Sequence, residues 1–238
     1  MPSQFGKLFV IATPIGNLED ITLRAIRVLK EVDFIACEDT RHTRIVLDKY
    51  SINTPTIIYY ETTREKADKK GQKIIDLLSE GKDIALVTDA GTPGISDPGQ
   101  FLISKVIARN IEVIPIPGPS AFVAALSISG FNDPAVHFVP FLPKKKGRQT
   151  MLNFLKNLEA TIVFYESPQR IGKTLSDLSS FFEVERSIVI CRELTKIFEE
   201  AYRGTIAEAL EKFSGESLKG EFVIVLKGYN GKKHKNQD

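Results

Sequence analysis

The segment whose composition is most informative about chemistry is the loop 87–99, which has the sequence VTDAGTPGISDPG. It follows an apolar run typical of a buried strand and contains three glycines, two prolines and two aspartates. Glycine allows positive φ angles and the close approach of a ligand to the backbone. A tight turn with a helix cap is the alternative explanation, and Asp97 and Pro98 fit the N-cap and first turn of a following helix. Because a cap does not require all these residues together, we interpret the segment as a ligand-binding loop.

The charge of this loop indicates what kind of ligand it binds. No lysine follows the glycines, and their spacing matches neither a Walker A loop nor a G-x-G-x-x-G motif. Pro93 and Pro98 have no amide donor, and Asp89 and Asp97 would repel a pyrophosphate. Carboxylates instead suit a ligand with ammonium, sulfonium or hydroxyl groups. S-adenosylmethionine has all three.

Three further polar segments follow predicted strands: TPIGN at 13–17, EDTRHTR at 38–44 and PGPSA at 117–121. In a parallel sheet, the first and third of these segments would share one edge with the loop 87–99, and together they would line a pocket between the two halves of the chain. An N-cap role for Asp39 or Thr40 explains part of the second segment. Its remaining charged residues would then face a polyanion or a reacting hydroxyl; they are Glu38, Arg41 and Arg44. His42 alone is more typical of a surface residue.

The second half of the chain repeats this arrangement and adds a basic loop. Lys144, Lys145, Lys146 and Arg148 form a flexible cationic segment that suits phosphate binding, although a solvated surface run is an almost equal alternative. The segments YESPQR at 165–170 and RELTK at 192–196 follow predicted strands. Within the first of them, Ser167 and Pro168 resemble a helix start.

The elements that position these loops alternate between strand and helix, which predicts an α/β fold with a mostly parallel sheet in the first half. In the first helix, Asp20 is expected to cap the first turn, and the apolar residues recur at helical spacing; they are Ile21, Ala25, Val28, Leu29 and Val32. Prolines and Gly118 interrupt the chain near Ile116. We therefore predict two α/β domains, 1–116 and 117–228, followed by a flexible basic tail, 229–238.

Composition narrows the class of protein. With 42% hydrophobic residues, a net charge of +2 and no apolar run near the roughly 20 residues of a membrane span, the chain is expected to be soluble and to have no membrane contact. The first residues lack the pattern of a secretory signal, so we expect a cytoplasmic location. Cys37 and Cys191 lie in apolar runs and are expected to be buried and reduced. The histidines are too scattered for a metal site, so we expect no metal.

The order of these segments resembles that of the tetrapyrrole methylase superfamily and, within it, the ribosomal RNA small-subunit methyltransferase I family. The resemblance covers about residues 7–228. The motifs that carry it are TPIGNLEDIT, ACEDTRHT, VTDAGTPGISDPG, PGPSA, FLPKKKGR, FYESPQR, RELTK and KGEFVIVL. Gln169 stands where such proteins often have histidine, and Pro140 stands where glycine is usual.

The resemblance implies a two-domain α/β homodimer that binds S-adenosylmethionine in the cleft between its domains. The implied reaction is methyl transfer to the 2'-hydroxyl of a cytidine in 16S ribosomal RNA, either as naked RNA or in the assembled 30S particle. The residues implied for the cofactor pocket are Pro14, Asp89, Gly91, Gly94, Ile95, Ser120, Ala121 and Glu166. Glu38, Asp39, Arg41 and the basic loop would face the RNA. Either carboxylate could serve as the base, or Arg41 could stabilise the alkoxide.

Three alternatives remain at this point. The first two are enzymes of the same superfamily, one that methylates a tetrapyrrole carbon and one that methylates a protein side chain. The third is a non-catalytic RNA-binding module that retains the fold. The segments at 38–43 and 192–196, together with the basic loop, favour an RNA substrate over the first two, and the intact strand-end loops argue against the third.

Overall fold

The computed structural model describes residues 5–61, 64–213 and 218–231; for residues 64–67 it describes the backbone alone. The chain divides into two compact units, Met1–Ser120 and Ala121–Asp238. The division falls shortly after Ile116, where the sequence places the domain boundary. Most of the predicted flexible tail, 232–238, lies outside the described residues.

In the first unit, strands and helices alternate along the chain. They are β1 (Leu8–Ile11), α1 (Leu23–Glu31), β2 (Phe34–Cys37), α2 (Thr40–Lys49), β3 (Thr56–Ile58), α3 (Arg64–Ser79), β4 (Ile84–Leu86), α4 (Gln100–Ile107) and β5 (Val113–Ile116). The strand order is β3-β2-β4-β1-β5, and every pair in the sheet is parallel. The predicted α/β class is confirmed. In such a sheet, the loops that follow the strands all lie at its carboxyl edge.

Helix α1 packs on the sheet as its spacing predicts, but it begins later than expected. Its apolar stripe is buried from Ile21 through Val32. The residues 18–20 form a separate 3₁₀ turn, and the side chain of Thr22 caps α1 by accepting a hydrogen bond from the amide of Ala25 at 3.1 Å. The prediction that Asp20 caps this helix is therefore wrong, because Asp20 lies inside the preceding turn.

The start of α4 also differs from the prediction. Its N-cap is Gly99, which has φ +134° and makes no side-chain cap, so the expected placement of Asp97 and Pro98 at the cap and first turn is wrong. A Cβ at Gly99 would lie 3.1 Å from Cδ2 of Leu86. Glycine therefore allows both the left-handed backbone and the close packing of this helix end on β4.

The second unit contains a mixed sheet. Its elements are α5 (Ala121–Ser127), β6 (Val136–Phe141), α6 (Arg148–Leu155), β7 (Thr161–Glu166), α7 (Ile171–Phe181), β8 (Ser187–Arg192), β9 (Glu200–Thr205), α8 (Ile206–Phe213) and β10 (Phe222–Leu226). The strand order is β6-β7-β10-β8-β9, in which β6 and β7 are parallel and the other neighbours are antiparallel. The core lies around β10, whose five residues are all buried.

The sequence interpretation missed two strands of this sheet, but it placed helix α7 at Ile171–Phe181, where the structure has it. Strands β6 and β9 occupy the two edges of the sheet, where a strand needs less regular apolar patterning than in the centre. Helix α7 begins at Ile171, after a turn in which the carbonyl of Ser167 accepts hydrogen bonds from the amides of Arg170 and Ile171. Ser167 and Pro168, which resemble a helix start in the sequence, belong to this preceding turn and not to the helix itself.

Candidate active site

Three loops of the first unit are hydrogen-bonded to one another at the carboxyl edge of its sheet. Thr13, after β1, exchanges two backbone hydrogen bonds with Gly91, after β4, at 2.9 and 3.1 Å. The hydroxyl of Thr92 donates to the carbonyl of Pro119, after β5, at 3.2 Å. The sequence predicts that these loops share one edge, and the hydrogen bonds show that they are in direct contact.

Asp89 connects the fourth loop to this group. Its carboxylate accepts a hydrogen bond from the amide of Asp39 at 3.2 Å and lies 3.3 Å from Nδ1 of His42. A small pocket next to Asp89 is lined by Thr13, Thr43 and His42, among others. The sequence interpretation set His42 aside. Its contact with Asp89 depends on how the start of α2 faces the loop after β4, which residue spacing does not indicate.

Glu38 and Asp39 are neighbours with opposite electrostatic environments. Burial raises the pKa of Glu38 above its ordinary value of 4.5, and the negative charges of Asp89, Asp97 and Asp39 raise it further. Asp39 caps α2 by accepting a hydrogen bond from the amide of Arg41, and hydrogen bonds from the Arg41 guanidinium and amide hold the pKa of Asp39 far below its usual range. Pairs of carboxyl groups whose pKa values are separated in this way are typical of acid–base sites.

The two arginines of α2 are exposed and paired with nearby carboxylates. Arg41 lies 2.6 Å from Asp39, and its side chain is 88% exposed. Arg44 lies 2.9 Å from Asp48, one turn along the helix. Exposed ion pairs of this kind contribute little stability. Both guanidinium groups can therefore exchange these partners for the phosphates of a ligand.

The predicted cofactor residues of the loop after β4 shape its backbone. Gly91 has φ +81°, and a Cβ there would lie 3.5 Å from Cγ2 of Ile15 and 3.9 Å from the carbonyl oxygen of Pro119. The amide of Gly94 donates to the carbonyl of Pro98 at 3.3 Å, which folds the loop back on itself. Of the other predicted cofactor residues in this unit, Pro14 is buried, Ser120 is half-buried and Ile95 is 39% exposed.

The sequence interpretation also missed Glu61. Its carboxylate accepts hydrogen bonds from the hydroxyl of Tyr59 at 2.6 Å and from the amide of Gly99 at 3.0 Å. Burial, together with this carboxylate, raises the pKa of Tyr59. Glu61, which follows β3, thus fixes the end of the loop after β4, although β2 separates these two strands in the sheet. No motif marks it, because it follows an edge strand of only three residues.

In the second unit, Glu166 occupies a different environment from the one implied by the resemblance. Its side chain has no solvent exposure. It accepts hydrogen bonds from the hydroxyl of Thr174 at 2.6 Å and the amide of Ser167 at 2.9 Å, and it lies 3.3 Å from Nε of Arg170. Because these partners occupy the carboxylate, we assign Glu166 to positioning the turn between β7 and α7 rather than to direct cofactor contact. Ala121 is half-buried at the start of α5, and its cofactor contact stays a prediction.

Arg148 is also placed differently from the prediction. Only 7% of the residue is exposed, and its guanidinium donates to Asp177 at 2.6 Å, Thr174 at 2.9 Å and the carbonyl of Pro143 at 3.1 Å. A guanidinium with these partners is not available for a phosphate. Arg148 therefore does not belong among the expected RNA contacts. Instead, it joins α6, α7 and the basic loop.

Thr174 links the two buried charged groups, so its hydroxyl is the place to test this network. In Thr174→Val, a methyl group replaces a hydroxyl that donates to Glu166 and accepts from Arg148. We expect the free energy of unfolding to fall by about 1–3 kcal/mol, because buried polar groups lose a partner. Urea denaturation measures it. Thr174→Ser retains the hydroxyl and should lose less than half as much; equal losses in the two variants would contradict the assigned role.

The basic loop is anchored at its base. Lys144, Lys145 and Lys146 are exposed. Just before them, the carbonyl of Leu142 accepts a hydrogen bond from Arg170 at 2.7 Å, as that of Pro143 does from Arg148. The backbone just before the three ammonium groups is therefore held in place, and the flexibility of the loop itself stays a prediction.

Cys37 and Cys191 are free and buried, as predicted, and burial raises the pKa of the Cys191 thiol to about 11. Within the described ranges, no group of three or more histidine, cysteine, aspartate or glutamate side chains is arranged to hold a metal ion. Across the same residues, no helix combines the length and the apolar character that a membrane span requires.

The family model for Tetrapyrrole (Corrin/Porphyrin) Methylases matches residues 7–210 of this chain. Among similar proteins, the Ribosomal RNA small subunit methyltransferase I of Halalkalibacterium halodurans is 48% identical over 229 residues, which cover 96% of this chain and 78% of that protein. The protein of the same name from Thermotoga maritima is 44% identical, covering 94% of this chain and 99% of its own length. The chain belongs to this family of tetrapyrrole methylases. The resemblance found in the motifs is thereby confirmed.

Solved structures with lower sequence identity share the fold. The methyltransferase CobJ aligns with a TM-score of 0.69 at 17% identity, covering 94% of each chain. The cobalt precorrin-4 methyltransferase CbiF aligns with a TM-score of 0.67 at 15% identity, covering 93% of this chain and 94% of its own. The two-domain α/β architecture is therefore that of the tetrapyrrole methylases.

Proposed function

We propose that this protein methylates the ribose 2'-hydroxyl of a cytidine in 16S ribosomal RNA, with S-adenosylmethionine as the methyl donor. Family membership supports a methyltransferase that acts on small-subunit ribosomal RNA. The observation that carries the site assignment is the contact of Asp89 with Asp39 and His42, which joins the acidic loop after β4 to the start of α2. Through this contact, the loop after β4, which is the candidate cofactor loop, lies next to the candidate bases Glu38 and Asp39.

The residues at this edge fit a positively charged methyl donor. The negative charges of Asp89, Asp97 and Asp39 raise the pKa of Glu38, so negative potential is concentrated around this carboxyl group. Such a potential favours a sulfonium and disfavours a phosphate-rich ligand. Gly91 gives this acidic loop a backbone conformation, φ +81°, that residues with a side chain rarely adopt. When bound, S-adenosylmethionine supplies a methyl group already activated by its sulfonium.

The chain's own residues then have to orient the ribose and accept its proton. We assign the role of base to Glu38, because its raised pKa makes it a better proton acceptor than Asp39, whose pKa is lowered by Arg41. Asp39 instead holds Arg41 at the start of α2, where its guanidinium can stabilise negative charge on the ribose oxygen. A positioned base contributes about 10²-fold or more to such a reaction.

Transfer of a labelled methyl group tests this function. The protein is incubated with labelled S-adenosylmethionine and either undermethylated small subunits, naked ribosomal RNA, a ribosomal protein mixture or a tetrapyrrole, and the product is mapped to the nucleotide. We expect label on a ribose 2'-oxygen in the RNA. Label on a tetrapyrrole or a protein side chain would favour the alternative substrates, and transfer to none of them would favour a non-catalytic RNA-binding module.

The basic loop is proposed to hold phosphates of the RNA. Replacing Lys144, Lys145 and Lys146 with glutamine should reduce the slope of log affinity against log salt by about 2, because each phosphate contact to a single strand contributes about 0.7. Fluorescence anisotropy with labelled RNA at several salt concentrations measures the slope. Glutamine at three other exposed lysines serves as the control; they are Lys30, Lys49 and Lys173. An unchanged slope in the loop variant would remove the role.

We further propose that the protein acts in the cytoplasm as a homodimer, as the resemblance implies. Sedimentation equilibrium of the purified protein tests the dimer. A monomer at micromolar concentration would contradict it without affecting the proposed reaction.

A further inference from the structure

Four aromatic rings from α5, β6 and β7 form a continuous series in the second unit. Phe122 stacks on Phe138 with ring centroids 4.4 Å apart, Phe138 contacts Tyr165 at 5.5 Å, and Tyr165 contacts Phe141 at 5.8 Å. The first three rings are half-buried, and Phe141 is 51% exposed. The series therefore ends in a ring that is open to solvent and supported from behind by Tyr165.

A β-bulge at Pro140 brings Phe141 to this face. Strands β6 and β7 stay in register up to Val139, after which the register shifts so that Phe141, rather than Pro140, lies opposite Tyr165. Successive residues of a strand point to opposite faces, so an unbroken register would turn Phe141 away from Phe138 and Tyr165. Bulges often re-aim a side chain near a functional site, and an edge strand such as β6 tolerates proline.

The exposed ring lies close in the chain to fixed positive charge. Lys144 follows Phe141 by three residues, a stretch that spans at most about 10–11 Å. The hydrogen bonds of Arg170 and Arg148 to the carbonyls of Leu142 and Pro143 hold the intervening backbone. Proteins that bind single-stranded nucleic acid combine such elements, with aromatic rings for the bases and cations for the backbone.

We propose that Phe141, supported by Tyr165 and Phe138, stacks on an unpaired base of the RNA substrate, while the lysines of the basic loop hold the neighbouring phosphates. This inference rests on the proposed function and adds a residue that positions its substrate. A nucleic acid fits this surface better than a second copy of the chain, because contact with another protein would require desolvation of three ammonium groups. The stacked base is unpaired, since only a splayed-out base presents its face to a side chain.

The chain provides a matched control for this ring. Phe154, on α6, is 53% exposed and contacts His137 at 5.6 Å. His137 precedes Phe138 in β6, so the two side chains point to opposite faces of the sheet. Phe154→Leu therefore removes an equally exposed phenyl ring from the other face.

The experiment uses a short single-stranded RNA that carries the fluorescent base 2-aminopurine, whose emission is quenched when it stacks. We expect Phe141→Leu to lower affinity for this RNA by about 5- to 100-fold and to abolish the quenching, since leucine keeps apolar surface but lacks a π face. The salt dependence should remain that of the wild type. Phe141→Trp should retain affinity and quenching, and Phe154→Leu should match the wild type. With undermethylated small subunits, Phe141→Leu should raise KM and leave kcat within about twofold.

Several results would overturn the stacking role. The first is a Phe141→Leu variant that binds the RNA and quenches its fluorescence as the wild type does. The second is a Phe141→Leu variant that sediments as a monomer where the wild type is a dimer, which would identify an interface between copies. The third is a wild-type protein that does not bind the RNA. Thermal melting by circular dichroism checks that each variant folds. A wild-type protein that binds and quenches the RNA but methylates no ribosomal RNA would overturn the proposed function alone. If the wild type methylates ribosomal RNA normally and Phe141→Leu binds the fluorescent RNA with wild-type affinity, the stacking role alone would be overturned.

Discussion

The Asp89→Asn variant is expected to bind S-adenosylmethionine about 10- to 100-fold more weakly than the wild type, the cost of losing a hydrogen bond to a charged group. The asparagine carbonyl can still accept the hydrogen bond that Asp89 receives from the amide of Asp39. The loop can therefore keep its position while the negative charge disappears. Isothermal titration calorimetry with S-adenosylmethionine in the absence of RNA measures this effect directly.

A matched control separates local charge from overall charge. Asp48 is also an aspartate of the first unit, 63% exposed and paired with Arg44 on α2. Asp48→Asn makes the same change in net charge and should leave cofactor affinity within about twofold, because exposed ion pairs contribute little. Equal affinities for wild-type and Asp89→Asn proteins would show that Asp89 does not bind the methyl donor.

The loops of the first unit were predictable because one rule of fold geometry places them. Alternating apolar runs predict a parallel sheet, and the carboxyl ends of parallel strands share an edge. The hydrogen bonds of Thr13 with Gly91 and of Thr92 with Pro119 agree with that expectation. The buried stripe of α1 was predictable for the same kind of reason, since its spacing matches the helical repeat.

Contacts between residues far apart in the chain could not be predicted in this way. Arg148 follows three lysines, and nothing in this run of charges marks the one side chain that turns inward. Its partners Asp177 and Thr174 lie 29 and 26 residues away along the chain. Short segments also set the positions of caps. Thr22 rather than Asp20 caps α1 because a 3₁₀ turn intervenes.

The two edge strands of the second unit, β6 and β9, escaped prediction for a physical reason. Strand β6 has the sequence VHFVPF, which includes a histidine and a proline, and β9 has the sequence EAYRGT. Each pairs on one side only, so neither needs the continuous apolar run seen in β10. The bulge that aims Phe141 lies in one of these strands. The part of the sheet hardest to recognise from the sequence thus carries the proposed base-stacking residue.

Glu38→Gln should separate catalysis from stability. Without a base, single-turnover methyl transfer at saturating cofactor and RNA should fall by about 100-fold or more. In the wild type, the rate should rise with pH as Glu38 ionises, with a midpoint above the ordinary glutamate pKa of 4.5. This rise of the rate with pH should be absent in Glu38→Gln. In Asp97→Asn, the midpoint of the rise should move to lower pH, because that change removes one of the negative charges that raise the pKa of Glu38.

The same variant should be more stable than the wild type at neutral pH. Because the pKa of Glu38 is higher in the folded chain than in the unfolded one, its contribution to stability is complete below 4.5 and is lost as pH rises through the folded-state pKa. Glutamine carries no charge and avoids that loss. Urea denaturation should therefore show a gain at neutral pH that disappears in acid, whereas exposed Glu19→Gln should show none. A group that is retained at a cost to folding is expected where function requires it. Lower stability of Glu38→Gln at neutral pH, or methyl transfer at the wild-type rate, would therefore mean that Glu38 serves the fold rather than the reaction.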